Sequence, residues 1–139
     1  MGFTCDNELR VRGGSAEDRR KALSLALAED CVTEEGATIS ERPAGGEGIA
    51  AARFQTRDGL LETVLMDLAR AFPDLGFALA YLSLDGEFMG AFAAEGEKAA
   101  SDSADLDEGD RATIDRLHGL DPVGYARERF AEMLEARDP

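Results

Sequence analysis

The sequence contains no tryptophan, one histidine, two cysteines and four prolines in 139 residues. His118 with Cys5 and Cys31 supplies too few nitrogen and sulfur ligands for a four-ligand structural zinc site, and no Cys-x-x-Cys pair is present, so no metal is expected. The two cysteines allow at most one disulfide. In a reducing compartment both are expected as free, buried thiols, because cysteine there behaves as a small hydrophobe. Long apolar runs are missing too: nothing approaches the roughly 20 residues that cross a bilayer. The start, MGFTCDNELR, has neither the basic flank nor the apolar stretch of a secretory signal, so the expectation is a cytoplasmic protein that does not engage a membrane. Basic residues are scarce. There are 15 against 29 acidic residues, for a net charge of −14 and a pI near 4.4. That balance opposes direct binding to nucleic acid or to an anionic membrane surface.

What is present is an alternation of short strand and helix patterns. Cys5, Leu9 and Val11 alternate with Asp6, Glu8, Arg10 and Arg12, which predicts a strand with one apolar face and one face turned to water or a partner. Gly13-Gly14 ends it. Ser15, with Asp18 three residues on, predicts a capped helix whose buried stripe is Ala22, Leu23, Ala26 and Leu27. A short strand is expected over 37–41, followed by a mobile loop at Pro43-Ala44-Gly45-Gly46. Ile49 to Arg57 predicts a strand with Ala50, Ala52 and Phe54 on one face. Asp58 is read as the cap of the next helix, where Leu60, Leu61, Val64, Leu65, Leu68, Ala69 and Phe72 recur at three- and four-residue steps.

The best-defined stretch is FPDLGFALAYLSLDGEFMG, residues 72–90. Phe77, Leu79 and Tyr81 alternate with Ala78, Ala80 and Leu82, so both faces are apolar, as in a strand inside a sheet. Asp85-Gly86 predicts a tight two-residue turn with positive φ, and Phe88 to Phe92 a returning strand. Residues 95–110 carry seven acids and almost no bulky apolar side chain, which predicts a solvated acidic linker. Ile114 and Leu117 then predict a short helix broken near Gly119. Asp121 caps another with Pro122 in its first turn, and Tyr125, Phe130, Met133 and Leu134 give that helix an apolar side.

The order strand, helix, strand, strand, helix, strand, strand is α+β. It predicts a ferredoxin-like βαββαβ sandwich with an added antiparallel edge strand, followed by C-terminal helices. The expected organisation is a domain over 1–94, an acidic linker over 95–110, and a helical extension over 111–139 packed on the same domain. Cys5-x-Asn7-x-Leu9-x-Val11-x-Gly13, Phe54-x-Thr56, Phe72-Pro73-x-Leu75-x-Phe77-x-Leu79-x-Tyr81 and Phe88-x-Gly90 together resemble the Api92-like, YubB-type ferredoxin-like domain family over about residues 4 to 93. The resemblance implies the fold and an association with phages and plasmids, and no catalytic residues. The chain departs from the family pattern at Thr4, where members place a tryptophan, and at Arg57-Asp58-Gly59, where they carry a Trp-Ser-Pro-like segment.

Residues for chemistry are sparse. His118 stands at an expected helix end, where it meets free carbonyl groups. Nothing in the spacing pairs it with Cys5 as nucleophile and base. Gly13-Gly14 lacks the lysine of a phosphate loop. No catalytic, cofactor-binding or metal residue is assigned, and an enzyme is the less favoured class. The leading expectation is an acidic interaction protein whose Glu95, Glu97, Asp102, Asp105, Asp107, Glu108 and Asp110 bind a basic, nucleic-acid-handling protein, standing in for the phosphate backbone and inhibiting it. A continuous acidic stripe marks that reading, and even scatter marks mere solubility. The alternative is a small-molecule-binding or catalytic domain with a pocket between sheet and C-terminal helix, containing Tyr81, His118 or Tyr125. A homodimer packed through that helix is compatible with either.

Overall fold

Eight of the nine residues of LGFALAYLS are buried, and this segment forms β4 (Leu75–Ser83) within a six-stranded sheet. A strand buried on both faces requires a layer above and a layer below. The computed structural model describes residues 2–33, 38–42, 48–119 and 121–135. The remaining elements, in chain order, are β1 (Thr4–Gly13), α1 (Ala16–Leu27), β2 (Thr38–Arg42), β3 (Ile49–Arg57) and α2 (Glu62–Ala71) before β4. After it come β5 (Phe88–Glu95), β6 (Lys98–Asp105), α3 (Glu108–Leu117), α4 (Pro122–Arg129) and α5 (Ala131–Glu135). The strands lie in the order β2-β3-β1-β4-β5-β6, and every neighbouring pair is antiparallel.

Register divides the side chains between two cores. Leu9 pairs with Ala52 on one side and Leu79 on the other. Leu9, Val11, Ala52, Phe54, Phe77 and Leu79 therefore share the face covered by α1 and α2, which contribute Leu23, Ala26, Leu65 and Ala69. On the opposite face, Leu82, Met89 and Ala91 meet Ile114, Val123, Ala126, Phe130 and Leu134 from the C-terminal helices. The apolar side of these helices is thus spent on the sheet. The Gly76, Ala78 and Ala80 side of β4 carries only small residues beneath the C-terminal helices.

Several expectations are corrected. Residues 95–110 are not a linker: Lys98–Asp105 pairs residue for residue with β5, from Glu95↔Lys98 to Phe88↔Asp105. Gly96, at φ 59°, makes the tight connection between the two strands. An edge strand needs ladder hydrogen bonds on one side only, so alanine, serine and aspartate suffice where a central strand would need bulky residues.

The hairpin before it is wider than expected. Ser83 pairs with Phe88, leaving the four residues Leu84–Glu87 as the turn, and the positive φ of 59° falls on Glu87 rather than on Asp85 or Gly86. Asp58 does not cap α2, whose N-cap is Leu61 without a side-chain bond. Asp58 instead adopts φ 58° and accepts the Phe3 N–H at 2.8 Å, tying the chain start to the end of β3. Asp121 sits at the α4 N-cap, where its carbonyl accepts the Gly124 N–H at 3.0 Å, but its side chain makes no cap bond and reaches Arg53 instead. The expected mobile loop at 43–46 lies outside the described residues.

Candidate functional site

The acids singled out in the sequence fall on the β5–β6–α3 end of the molecule. From Asp85 to Asp110 the chain carries nine acids against a single base, Lys98. Eight of the nine are exposed. Glu95 and Glu97 flank the β5–β6 turn, Asp102 and Asp105 project from the last strand of the sheet, and Asp107 and Glu108 open α3. The site is ordered along a strand ladder, so its charges hold fixed spacings. Other exposed acids, such as Glu17, Asp18, Asp67 and Asp74, are spread over the remaining helices and turns.

Asp110 does not belong with them. It is buried, and its carboxylate closes a capping box: Asp110 N–H donates to Asp107 Oδ1 at 2.7 Å, and Asp107 N–H donates to Asp110 Oδ2 at 3.0 Å. Tyr125 Oη donates to Asp110 Oδ1 at 2.5 Å, and Arg129 lies 3.5 Å away. The Tyr125 bond, more than any other contact, holds the Asp110 carboxyl below the usual aspartate range. This aspartate locks α3 to α4. The Asp-x-x-Asp signature of the cap was present in the sequence, where both residues were counted only as charge.

A second polar cluster sits under the C-terminal helices, on the sheet face expected to meet water. Glu8 is 5% exposed. Its Oε2 accepts from Arg53 at 2.8 Å and from Arg127 at 2.5 Å, and Arg10 lies 3.1 Å from Oε1. Burial alone pushes the carboxyl up, but the Arg127 bond and the charges of Arg10, Arg127 and Arg53 outweigh it, leaving Glu8 below the ordinary glutamate range. Beside this cluster, between β1, β3, β4 and the α4–α5 pair, opens a cleft of about 430 Å³. None of Tyr81, His118 and Tyr125 lines it.

Those three residues are placed elsewhere. Tyr81 lines a hollow of about 440 Å³ with Leu60, Phe88 and Asp105, on the α2 side of the sheet. Its hydroxyl donates to Glu62 at 3.3 Å. His118 ends α3, stacks at a tilt against Tyr125 with ring centroids 5.8 Å apart, and lies 3.4 Å from Glu128. Cys5 is fully buried and Cys31 partly so, and both are free thiols. The burial of Cys5 raises its thiol pKa to about 12, far from a neutral-pH nucleophile. Among the described residues no group of three His, Cys, Asp or Glu side chains is placed to hold a metal ion, and no helix is long and apolar enough to cross a membrane.

No protein-family model matches the chain, and no curated protein matches it. A solved structure similar to it is the de novo designed protein Foldit4, at 16% identity and a TM-score of 0.41, covering 57% of this chain and 96% of the designed one.

Proposed function

We propose that this chain is a non-enzymatic interaction protein whose acidic β5–β6–α3 edge docks on the basic patch of a nucleic-acid-handling protein and blocks it, taking the place of the phosphate backbone. The observation that carries the reading is the placement of Glu95, Glu97, Asp102, Asp105, Asp107 and Glu108 at an open sheet edge with Lys98 as the only base between Asp85 and Asp110. Carboxylates set on a strand ladder lose little freedom on binding, and complementary fields speed association. We read the β1-to-β4 part, with its order β2-β3-β1-β4, as a ferredoxin-like sandwich extended by β5 and β6. The resemblance to a family found in phages and plasmids agrees with an inhibitor carried by a mobile element.

The test is capture from bacterial lysate on the immobilised protein, with elution by salt and by duplex DNA. The reversal variant is Glu97→Lys, Asp102→Lys, Asp105→Lys and Glu108→Lys, which spares the Asp107–Asp110 capping box of α3. A captured nucleic-acid-binding protein that DNA displaces, and that the variant fails to hold while keeping the wild-type melting temperature, supports the proposal. Capture indifferent to DNA, to salt and to the reversal overturns it.

A further inference from the structure

β6 ends the sheet on one side, and among the described residues no strand pairs with its outer edge. Register and one hydrogen bond fix which of its backbone groups face outward. Phe88 pairs with Asp105, and Leu106 N–H donates to the Glu87 carbonyl at 2.8 Å, so Leu106 turns its N–H toward β5. The two sides of an antiparallel strand alternate, so Ala104, Asp102, Ala100 and Lys98 face β5 as well. Ala99, Ser101, Ser103 and Asp105 therefore turn their N–H and C=O groups away from the sheet, and all four residues are exposed. The Ser103 N–H bears this out, since it donates to Asp102 Oδ1 at 2.9 Å rather than across the ladder.

Sheet edges are normally protected from a further strand by shortness, proline, a bulge, lysines or a covering element. β6 runs for eight residues, KAASDSAD, without proline, and keeps an unbroken residue-for-residue register with β5. Its alanines and serines raise no steric wall. What guards this edge is charge of one sign: Glu97, Asp102 and Asp105, with Lys98 as the one base. Such an edge repels a second copy of this chain, whose net charge is −14, and admits a cationic strand. On the α2 side of β6 lies the hollow of about 440 Å³, to which Ser103 and Asp105 contribute beside Leu60, Tyr81 and Phe88.

We propose that β6 receives an extended basic segment of the partner as an added strand. This deepens the acidic-edge reading and rests on it. Backbone hydrogen bonds to Ala99, Ser101, Ser103 and Asp105 supply the affinity, and alternate side chains of the segment supply selectivity. A residue opposite Asp105 projects on the face shared by Phe88, where an arginine meets the carboxylate with its fork and the ring with its stem. Asp102 and Asp105 stand three positions apart, hence on opposite faces of β6. The segment recognised therefore carries two basic residues at that spacing among β-branched ones. On docking, Asp102 gives up the Ser103 N–H to the incoming carbonyl and pairs with the second cation.

The probe is the peptide acetyl-VRVTKVTV-amide, titrated into isotope-labelled full-length protein beside two N-methylated forms, one blocked at its third and fifth residues and one at its fourth and sixth. Only every second amide of an added strand faces the ladder. One form should therefore bind about tenfold more weakly, the loss of roughly two backbone hydrogen bonds, and the other should bind as the parent does. Amide exchange at Ser101 and Asp105 should slow in the complex. Ser101→Pro removes an outward donor and no bond to β5, so it should abolish binding while the β5 amides stay protected. An equal effect of the two methylated sets overturns strand addition, as does a folded Ser101→Pro variant that binds as the wild type does. Absence of saturable binding overturns it too, with lysate capture still deciding the acidic-edge reading. Binding that the four-lysine reversal abolishes but neither methylation weakens overturns strand addition alone. Binding that survives the reversal unchanged overturns the acidic-edge reading with it.

Discussion

Arg127 on α4 donates to Glu8 on β1 at 2.5 Å across 119 residues of sequence. That contact fixes the C-terminal helices over the sheet and converts the polar face of β1 into an interior. Glu8 also gathers Arg10 and Arg53, so it acts as the common acceptor of three cations drawn from two strands and a helix. Glu8→Ala takes from Arg10 and Arg127 the carboxylate they share, while Arg53 keeps its ion pair with Asp121. The expected loss is toward the lower end of the roughly 3–5 kcal/mol for breaking a buried ion pair, because Arg10 and Arg53 keep 44% and 42% of their side chains exposed and rehydrate in part. Arg127→Met should cost less, since Glu8 keeps two partners. Urea unfolding of both variants measures this, and a larger loss for Arg127→Met contradicts Glu8 as the hub.

The same cluster sets an acid limit. The folded-state carboxyls of Glu8 and Asp110 both lie below their ordinary values of 4.5 and 3.8. A depressed folded pKa gives stability that is complete above the unfolded value and is lost as pH falls through the folded one. Stability should therefore hold down to about pH 5 and decline below the ordinary carboxylate values. Melting temperatures from pH 7 down to 2.5 test this, and Glu8→Gln should flatten the decline relative to wild type. An equally steep curve for Glu8→Gln means that other carboxylates carry the acid transition.

The strands that bury bulky residues were legible in the sequence, and the polar interior was not. Phe77, Leu79 and Tyr81 announce β4 because a two-sided apolar run has few other uses, and Ile49 to Arg57 forms β3 with the bounds its alternation predicts. Glu8 read as solvent-facing because the residues that satisfy it, Arg53 and Arg127, are 45 and 119 positions away, and no local pattern encodes such a meeting. β6 was missed for a different reason. Its Ala, Ser and Asp residues have low strand propensity, and its partner strand alone holds it in register. Of the acids read as one binding group, Asp110 proved structural, and the clue was its spacing from Asp107 rather than its charge.

Two glycines near the hairpin should respond to side chains for reasons of space rather than backbone angle. A Cβ on Gly90 would overlap the Tyr81 ring and lie 2.8 Å from the Asp102 carbonyl, so the phenol lies flat across this bare position on β5. Gly90→Ala is expected to cost about 1–3 kcal/mol or more, the range for overpacking a buried site. In the turn, a Cβ on Gly86 would stand 2.6 Å from Phe88 Cε2 and 2.8 Å from Ser83 Oγ, so Gly86→Val should also destabilise. Glu87→Gly should instead be neutral or stabilising by up to about 1 kcal/mol, because glycine relieves the left-handed backbone there. Chemical denaturation of the three variants separates these effects, and a stable Gly90→Ala would mean that Tyr81 has another rotamer.

The two thiols should differ in reactivity by position rather than by chemistry. Burial is the main cause that raises both, taking Cys5 to about 12 and Cys31 above its ordinary value. Cys5 sits in the first core with no exposed surface, among Thr56 and Ser83, which are themselves fully buried. Cys31 lies between α1 and β3 at partial exposure, where Arg57 N–H donates to its carbonyl at 2.7 Å. At neutral pH, iodoacetamide should therefore label Cys31 slowly and leave Cys5 intact until the protein unfolds. Intact mass with peptide mapping would show one adduct in the folded protein and two in urea. Because Cys5 opens only with the core, its labelling rate in low denaturant should track global unfolding, whereas that of Cys31 should change little. Rapid alkylation of Cys5 in the folded state would mean that β1 detaches from the sheet at its Thr4 end, where Thr4 N–H meets Asp85 Oδ1 at 3.0 Å. In that case Asp85→Ala should accelerate the labelling further.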